Sequence, residues 1–193
     1  MAVHGFRRTA RDRIVLRTDD VERTILTALV HQLVEFVRPD ADALDQDPLA
    51  AMVGIDPFAV TPDDPALHRL FPDAYGDDED ASAEFRRFNE RSLRDSKLAH
   101  ADTVLATLER SGSKITLADG EAQAWLGTLN DLRLTLASRL DLQEDNHESF
   151  YDLPEDDPRF PLFQIYDWFT FLQETLVHAL TGLISQPPDA DTD

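Results

Sequence analysis

The chain has 193 residues and a formal net charge of −20 at pH 7, from 18 Lys and Arg against 38 Asp and Glu. It contains no Cys, which excludes a disulfide framework, a Cys nucleophile and Cys-ligated metal sites. Because so negative a field repels phosphates and anionic lipid surfaces, we predict neither nucleic acid nor a membrane as a partner.

The first predicted elements are a short β-leaning segment, residues 13–17, and a helix directly after it. That helix is predicted over residues 20–37, where apolar side chains recur every three or four positions. Thr18 or Asp19 can cap its start, and a proline follows its end. Residues 40–80 then hold twelve acids and one base together with several prolines, which is typical of loops with short helical turns.

A second helical stretch is predicted over residues 79–110, in two pieces. Ala81, Phe85 and Phe88 recur at helical spacing and are predicted as the apolar stripe of the first piece. Asn89 is placed to cap the second piece, because Asn is among the residues preferred at a helix start.

The second half of the chain contains one more β-leaning segment and two more helices. Residues 114–117 can pair with residues 13–17 as a small ribbon. A third helix is predicted over residues 119–140. The fourth, residues 160–184, is apolar on nearly every side, which is the pattern of a central, buried helix.

These segments together predict a mainly α fold, a helical bundle of four to six helices with a small β ribbon. We predict a single helical domain over residues 1–186 and a disordered acidic tail over residues 187–193, where the composition is polar. The start of the chain lacks the apolar region of a secretory signal, and the most apolar helix contains acidic and amide side chains. The sequence therefore predicts a cytoplasmic protein.

Three residues are candidates for a ligand site or a structural clamp: Arg133, Glu84 and Asp131. Arg133 lies on the apolar stripe of the third helix, and its guanidinium cannot lose its charge. It therefore needs a carboxylate or carbonyl partner. We expect a clamp between helices with Glu84 or Asp131 as the partner; alternatively, Arg133 binds an anionic ligand.

A second candidate site is a cluster of bases in the second helical stretch. Arg87, Arg91 and Arg94 follow helical spacing and form a candidate interaction patch for an acidic partner. The alternative is pairing within the helix, because Glu90 stands four residues from both Arg86 and Arg94.

Motifs for catalysis, cofactors and metals are missing from the sequence. There is no Gly-rich phosphate loop. The six His are scattered, and no two of them lie three or four residues apart, so paired His ligands on one helix face are not predicted. We therefore predict no catalytic residue, no cofactor and no bound metal.

Several blocks of sequence together resemble a known family. They are LFPDAY at 70–75, the stretch from EFRR to Lys97 that begins at 84, LNDLRL at 129–134, and YDW followed by QETL within 166–176. In this order they resemble the actinobacterial family defined by a domain of unknown function, DUF2017, over about residues 5–185. The resemblance implies no activity and no catalytic residues. It implies a link with Clp-type protein turnover, since genes of the family often lie beside that of the Clp protease adaptor.

We predict from these observations a non-enzymatic interaction or regulatory protein whose partner is another protein. One alternative is a small-molecule or metal-binding enzyme built around Arg133 and nearby carboxylates, and another is a purely structural homodimer. We also predict a monomer or a weak homodimer, because other helices can cover the apolar fourth helix and two identical acidic surfaces repel each other.

Overall fold

The computed structural model describes residues 4–38, 61–75, 78–110 and 112–182. Its elements are β1 Phe6–Arg8, β2 Ile14–Arg17, α1 Asp20–Val37, α2 Pro65–Leu70, α3 Glu79–Leu108, β3 Lys114–Leu117, α4 Asp119–Arg139, a 3₁₀ helix His147–Asp152 and α5 Phe160–Thr181. The predicted mainly α fold with a small β ribbon is confirmed. The predicted tail and much of the acidic stretch after α1 lie outside the described residues.

The sheet has three antiparallel strands in the order β1-β2-β3. β2 pairs with β3, with Val15 opposite Thr116, which confirms the predicted ribbon. β1 was not predicted; it adds to the other side of β2, with Phe6 opposite Leu16. The turn between β1 and β2 contains Asp12, whose φ of 60° lies in the left-handed region that Asp tolerates better than most residues.

Side chains at the helix starts bind the first free N–H groups. Asp19 accepts a hydrogen bond from the N–H of Glu22, and the Glu22 carboxylate accepts one from the N–H of Asp19. This capping box starts α1, and Asp19 is one of the two caps predicted from the sequence. Asp78 caps α3 through one backbone N–H. α4 begins after Ala118, which has no capping side chain, and Glu121 accepts the Ala118 N–H instead.

α3 is a continuous helix of 30 residues, so the predicted break at Asn89 is wrong. The Asn89 side chain donates to the carbonyl of Phe85, one turn back, at 2.8 Å. A capping Asn would accept hydrogen bonds from the N–H groups that follow it. Inside a helix those N–H groups already bind carbonyls of the preceding turn, so packing along the whole of α3 overrides this local signal.

α4, rather than α5, is the central helix. It contacts α1, α2, α3, α5 and β3, and small side chains such as Ala122 and Ala124 let these neighbours approach from several sides. α5 packs mainly on α4 and β1 and leaves Phe171 36% exposed and Val177 38% exposed. The prediction that residues 160–184 form the central, buried helix is therefore wrong. α5 covers one side of the bundle.

The buried apolar side chains of the sheet and of every described helix form one cluster. Trp125 of α4 contacts Phe6 of β1 edge to face, with ring centroids 5.4 Å apart. Its indole N–H donates to Oγ1 of the buried Thr107 at 2.9 Å, so the polar atom of this large core residue is satisfied. Trp125 thereby connects the sheet, α3 and α4.

Candidate functional site

Arg133 joins α4 to α5. Its Nε donates to Thr170 Oγ1 at 3.0 Å and its Nη1 to Gln173 Oε1 at 2.7 Å. The guanidinium also lies over the ring of Tyr166, 5.4 Å from the centroid. Among the described contacts of Arg133 every acceptor is neutral. Arg133 therefore clamps two helices, but not through a carboxylate as we predicted.

The two carboxylates predicted to pair with Arg133 lie elsewhere. Asp131 is buried between α3 and α4 and accepts a hydrogen bond from Lys97 Nζ at 2.6 Å. Burial raises the pKa of Asp131 above its usual value, although the hydrogen bond from Lys97 opposes the shift. Glu84 is exposed near the start of α3. The structure therefore does not bring Arg133, Glu84 and Asp131 together into one site.

Arg86 is the centre of an ion network on α3. Only 5% of the residue is exposed, and its guanidinium donates to Glu90 and Asp73 at 2.7 Å each. It also donates to the carbonyl of Phe71 at 3.2 Å, which ties the segment after α2 to α3. Hydrogen bonds from Arg86 and His68 hold the pKa of Asp73 below its usual value. This pairing within the helix was the alternative considered for the basic cluster.

Arg94 extends the network and is not available as a surface group. It donates to the same Glu90, at 2.6 Å from Nη2, and to the carbonyl of Val37 at the end of α1 at 2.7 Å. We refer to Asp73, Arg86, Glu90 and Arg94 as the α3 ion network. Of the predicted interaction patch, Arg87 is exposed and Arg91 is half-buried. The three arginines therefore differ in environment and do not present one exposed basic surface.

A side of α3 without charge is exposed between residues 81 and 99. Its exposed residues, which we call the α3 strip, are Phe85, Phe88, Asn89, Ser92, Leu93, Ser96 and Ala99. Phe85 is 44% exposed, Phe88 52% and Leu93 42%. In a chain in which 29% of the residues are charged, a helix side with three large exposed apolar residues and no charge differs from an ordinary solvated face.

The helical spacing of the sequence indicates that the α3 strip is exposed. The predicted helix break at Asn89 hid this pattern. Along a continuous helix, each residue turns by about 100°, so Phe85 lies about 160° from Ala101. Ala101 is buried against the core, and Phe85 therefore points away from it. The stripe of Ala81, Phe85 and Phe88 that we predicted as an apolar packing face is thus largely on the outside.

Acidic residues border the α3 strip on one side. Glu84, Asp95 and Asp102 lie on one line of the helix with Phe88, because the successive intervals between positions 84, 88, 95 and 102 are four, seven and seven residues. All three are exposed, and none of them forms an ion pair with another described residue. Arg91 interrupts this line. The border of the strip on that side is therefore mainly acidic.

A small notch lies between the α3 strip and the segment that follows α2. Phe71, Pro72, Phe85 and Leu93 supply its apolar walls, and Arg86 of the ion network also lines it. Its enclosed volume is only about 30 Å³, and the rest of the notch is open to solvent. Sites for small molecules typically enclose roughly 300–1,000 Å³ and cover most of the ligand. The notch is therefore too small and too open for a cofactor.

Metal clusters and membrane-spanning helices are both absent from the part of the chain that the structure describes. No three of the His, Asp and Glu side chains in this part are placed together so that they could hold a metal ion. No helix in this part is both long and apolar enough to cross a lipid bilayer.

Comparison with known proteins identifies a matching family and several similar proteins. The model of the family described as Domain of unknown function (DUF2017) matches residues 3–180. Proteins of Mycobacterium tuberculosis and Mycobacterium bovis, both named oxidative stress regulator AosR, are 31% identical over 175 residues, which is 83% of this chain and 79% of theirs. A Mycobacterium leprae protein whose name refers to the same regulator is 33% identical over 173 residues, 82% of this chain and 78% of its own. No solved structure matches the chain significantly.

Proposed function

The chain belongs to the DUF2017 family, and from that premise we propose that it is a regulatory protein that acts by binding another protein through the α3 strip. The observation that carries this proposal is the exposure of Phe85, Phe88 and Leu93 on a helix side that has no charge. Aromatic residues are enriched, and charged residues are depleted, at the centres of protein interfaces. A regulatory role agrees with the names of the mycobacterial relatives.

The composition of the chain favours protein binding over nucleic-acid binding and over thiol chemistry as the mechanism of such a regulator. Its net charge of −20 opposes direct binding to nucleic acid, which leaves contact with a protein as the favoured route. The relatives are named for oxidative stress, yet this chain contains no Cys, so it has no thiol that an oxidant could convert to a disulfide or a sulfenic acid. We therefore assign to this chain a docking step that involves no thiol of its own.

Charge favours a basic partner. Glu84, Asp95 and Asp102 border the α3 strip, and the whole chain is strongly acidic. Three bases of α3 that could have attracted an acidic partner, Arg86, Arg94 and Lys97, bind carboxylates of the chain itself. Complementary charges at a border speed association and set specificity, so binding should weaken as salt concentration rises.

The two alternatives predicted from the sequence, an enzyme built around Arg133 and a homodimer, receive less support. An enzyme built on Arg133 would need nearby carboxylates at the same site, whereas the described contacts of Arg133 are with neutral groups of α5. The link with Clp-type turnover stays a prediction from the family resemblance, and the cytoplasmic location stays a prediction from the sequence. A weak homodimer through the α3 strip would bring two acidic borders together, so we favour a different protein as the partner.

A photo-crosslinking amino acid tests the proposal in cells that make the protein. It is placed at Phe88 on the α3 strip and, as the matched control, at Val21 of α1, which is 57% exposed. We expect a defined cross-linked protein from position 88 and not from position 21. The purified partner should then bind the full chain, and Phe88→Asp should weaken binding about tenfold or more. The same cross-links from both positions, or binding that is indifferent to Phe88→Asp, would refute the proposal.

A further inference from the structure

We infer that the notch beside the α3 strip is an anchor pocket for one apolar side chain, carried by a basic amphipathic helix of the partner. This inference rests on the proposed docking function and adds the class of structure that docks. It starts from the position of the notch, which shares Phe85 and Leu93 with the strip.

The shape of the α3 strip indicates a helix as the docking element. The strip extends over about four turns of a regular helix, whose backbone N–H and C=O groups are bonded within the helix itself. It therefore offers no free backbone groups with which an added β-strand could pair. Recognition has to use side-chain packing, and an amphipathic helix with apolar residues at intervals of three and four matches such a surface.

The notch is built as a rigid receptor for a side chain. Phe71 in its wall is only 2% exposed, and its carbonyl accepts a hydrogen bond from Arg86. Arg86 is in turn held by Asp73 and Glu90, so the groups behind the notch are fixed before a partner arrives. A preorganised pocket loses little conformational entropy on binding, which favours a strong contact at this position.

The size and chemistry of the notch select the anchor. Phe71, Pro72, Phe85 and Leu93 present apolar surface beside Arg86 and Glu90, and the enclosed volume is about 30 Å³. The end of one leucine, methionine or phenylalanine side chain fits such a shallow space, whereas a charged side chain would lose hydration against the apolar walls. Anchors of this kind, inserted in a pocket and surrounded by weaker contacts, dominate the affinity of many interfaces.

The acidic border indicates the charge of the docking helix. A helix that lies along the α3 strip passes Glu84, Asp95 and Asp102 on one side. Lysine or arginine on the matching side of the partner helix would meet these carboxylates at the rim, where charge contributes mainly to association rate and specificity.

The test uses the full chain with labelled leucine methyl groups and synthetic amidated helical peptides of about 18 residues, or five turns. The first peptide set carries leucine, methionine or phenylalanine as the central anchor and lysines on one side. A second set has alanine as the anchor, and a third has glutamate in place of lysine. We expect saturable shifts of the Leu93 methyl signals with the first set, and affinities at least about fivefold lower with the other two.

Variants separate the pocket from the docking function. Leu93→Asp changes the notch, and Phe88→Asp changes the strip outside the notch. Leu93→Ala serves as a milder second variant at the notch. Both positions are exposed, so the variants should keep the fold. Loss of binding with both aspartates supports the inference. Loss with Phe88→Asp alone, with no effect of the anchor, refutes the pocket and leaves the docking function standing. Absence of Leu93 shifts with all peptides up to about 1 mM overturns the anchor pocket itself.

Discussion

Lys97 of α3 and Asp131 of α4 form an ion pair within the contact between these helices, with 2.6 Å between Nζ and Oδ1. The Lys97 side chain is 15% exposed and the Asp131 side chain 6%. The two helices also approach closely at Gly127, where a Cβ atom would lie 2.8 Å from Nδ1 of His100. The pair is therefore held in a tight interface in which neither charge can easily reach water.

The first prediction concerns the cost of removing one member of this pair. Lys97→Met should lower the free energy of unfolding at pH 7 by about 3–5 kcal/mol, because the buried carboxylate loses its partner. The pKa of Asp131 is already raised by burial and should rise further in the variant. A carboxyl with a raised pKa in the folded state destabilises the fold as pH rises through that value. The loss of unfolding free energy in Lys97→Met should therefore be smaller at about pH 5 than at pH 7. Urea unfolding of the variant and the parent at the two pH values measures this loss.

The double variant Lys97→Met with Asp131→Leu is the control for this prediction. It removes both charges and should lie within about 1–2 kcal/mol of the parent, since apolar residues of similar volume often replace a buried ion pair without loss. An equal deficit of the single variant at both pH values would show that Asp131 is not the group responsible.

The second prediction compares two phenylalanines near the notch. Phe71 is 2% exposed and Phe88 is 52% exposed. Phe71→Ala should lower the free energy of unfolding by about 3–5 kcal/mol, because it leaves a cavity in the core. Phe88→Ala should stay within about 0.5 kcal/mol of the parent, as expected at an exposed site. Equal losses in chemical denaturation would place Phe88 in the core and remove the basis of the α3 strip.

The third prediction revises the energetic role of Arg133. A carboxylate partner, as expected from the sequence, would make Arg133→Ala cost about 2–5 kcal/mol by leaving a buried charge unpaired. The acceptors are instead Thr170, Gln173 and the hydroxyl of Tyr166, which are neutral. The loss should therefore be about 1–2 kcal/mol, as for neutral groups that lose a charged donor but remain near water. Thermal unfolding measures it, with Gln173→Ala as the control that removes one acceptor; a loss above about 4 kcal/mol would indicate an acidic partner.

The fourth prediction concerns the end of α3. Arg23 of α1 donates to the carbonyl of Leu108, which the end of α3 leaves without a partner inside the helix, and to the carbonyls of Arg110 and Gly112 in the loop that follows. Arg23→Ala should lower the free energy of unfolding by about 1–3 kcal/mol and speed amide hydrogen exchange in the last turns of α3. Arg11→Ala, at an exposed position in the turn between β1 and β2, should do neither. Unchanged exchange at the end of α3 in the Arg23 variant would contradict this role.

The secondary structure was largely accessible from the sequence because its signals are local. Apolar side chains at intervals of three and four residues, with a cap at Thr18 or Asp19 and a proline after the end, predicted α1, and the bounds agree with the structure. Two short β-leaning segments predicted the pairing of β2 with β3. β1 was missed because a strand of three residues is too short to show a pattern of its own.

The candidate site was less accessible, because its chemistry depends on contacts distant along the chain. The sequence identified Arg133 as a clamp, but its acceptors come from α5, and only the packing of α4 against α5 selects Thr170 and Gln173. Likewise, Asp131 binds Lys97, 34 residues away. Pairing of Arg86 with Glu90 was foreseeable, since residues four apart on a helix are neighbours.

What the sequence by itself determined is the set of helices, the caps and the excess of acid, since each arises within one or two turns or from composition alone. The tertiary structure alone decided which helix is central and which apolar residues stay outside. α5 is the more apolar helix, yet α4 takes the centre because its small side chains admit neighbours on several sides. Phe85 and Phe88 stay outside because α3 is turned so that Ala101 and Val104 face the core. A helix has one rotation about its axis, and the packing of its longest buried face sets that rotation for every other residue along it.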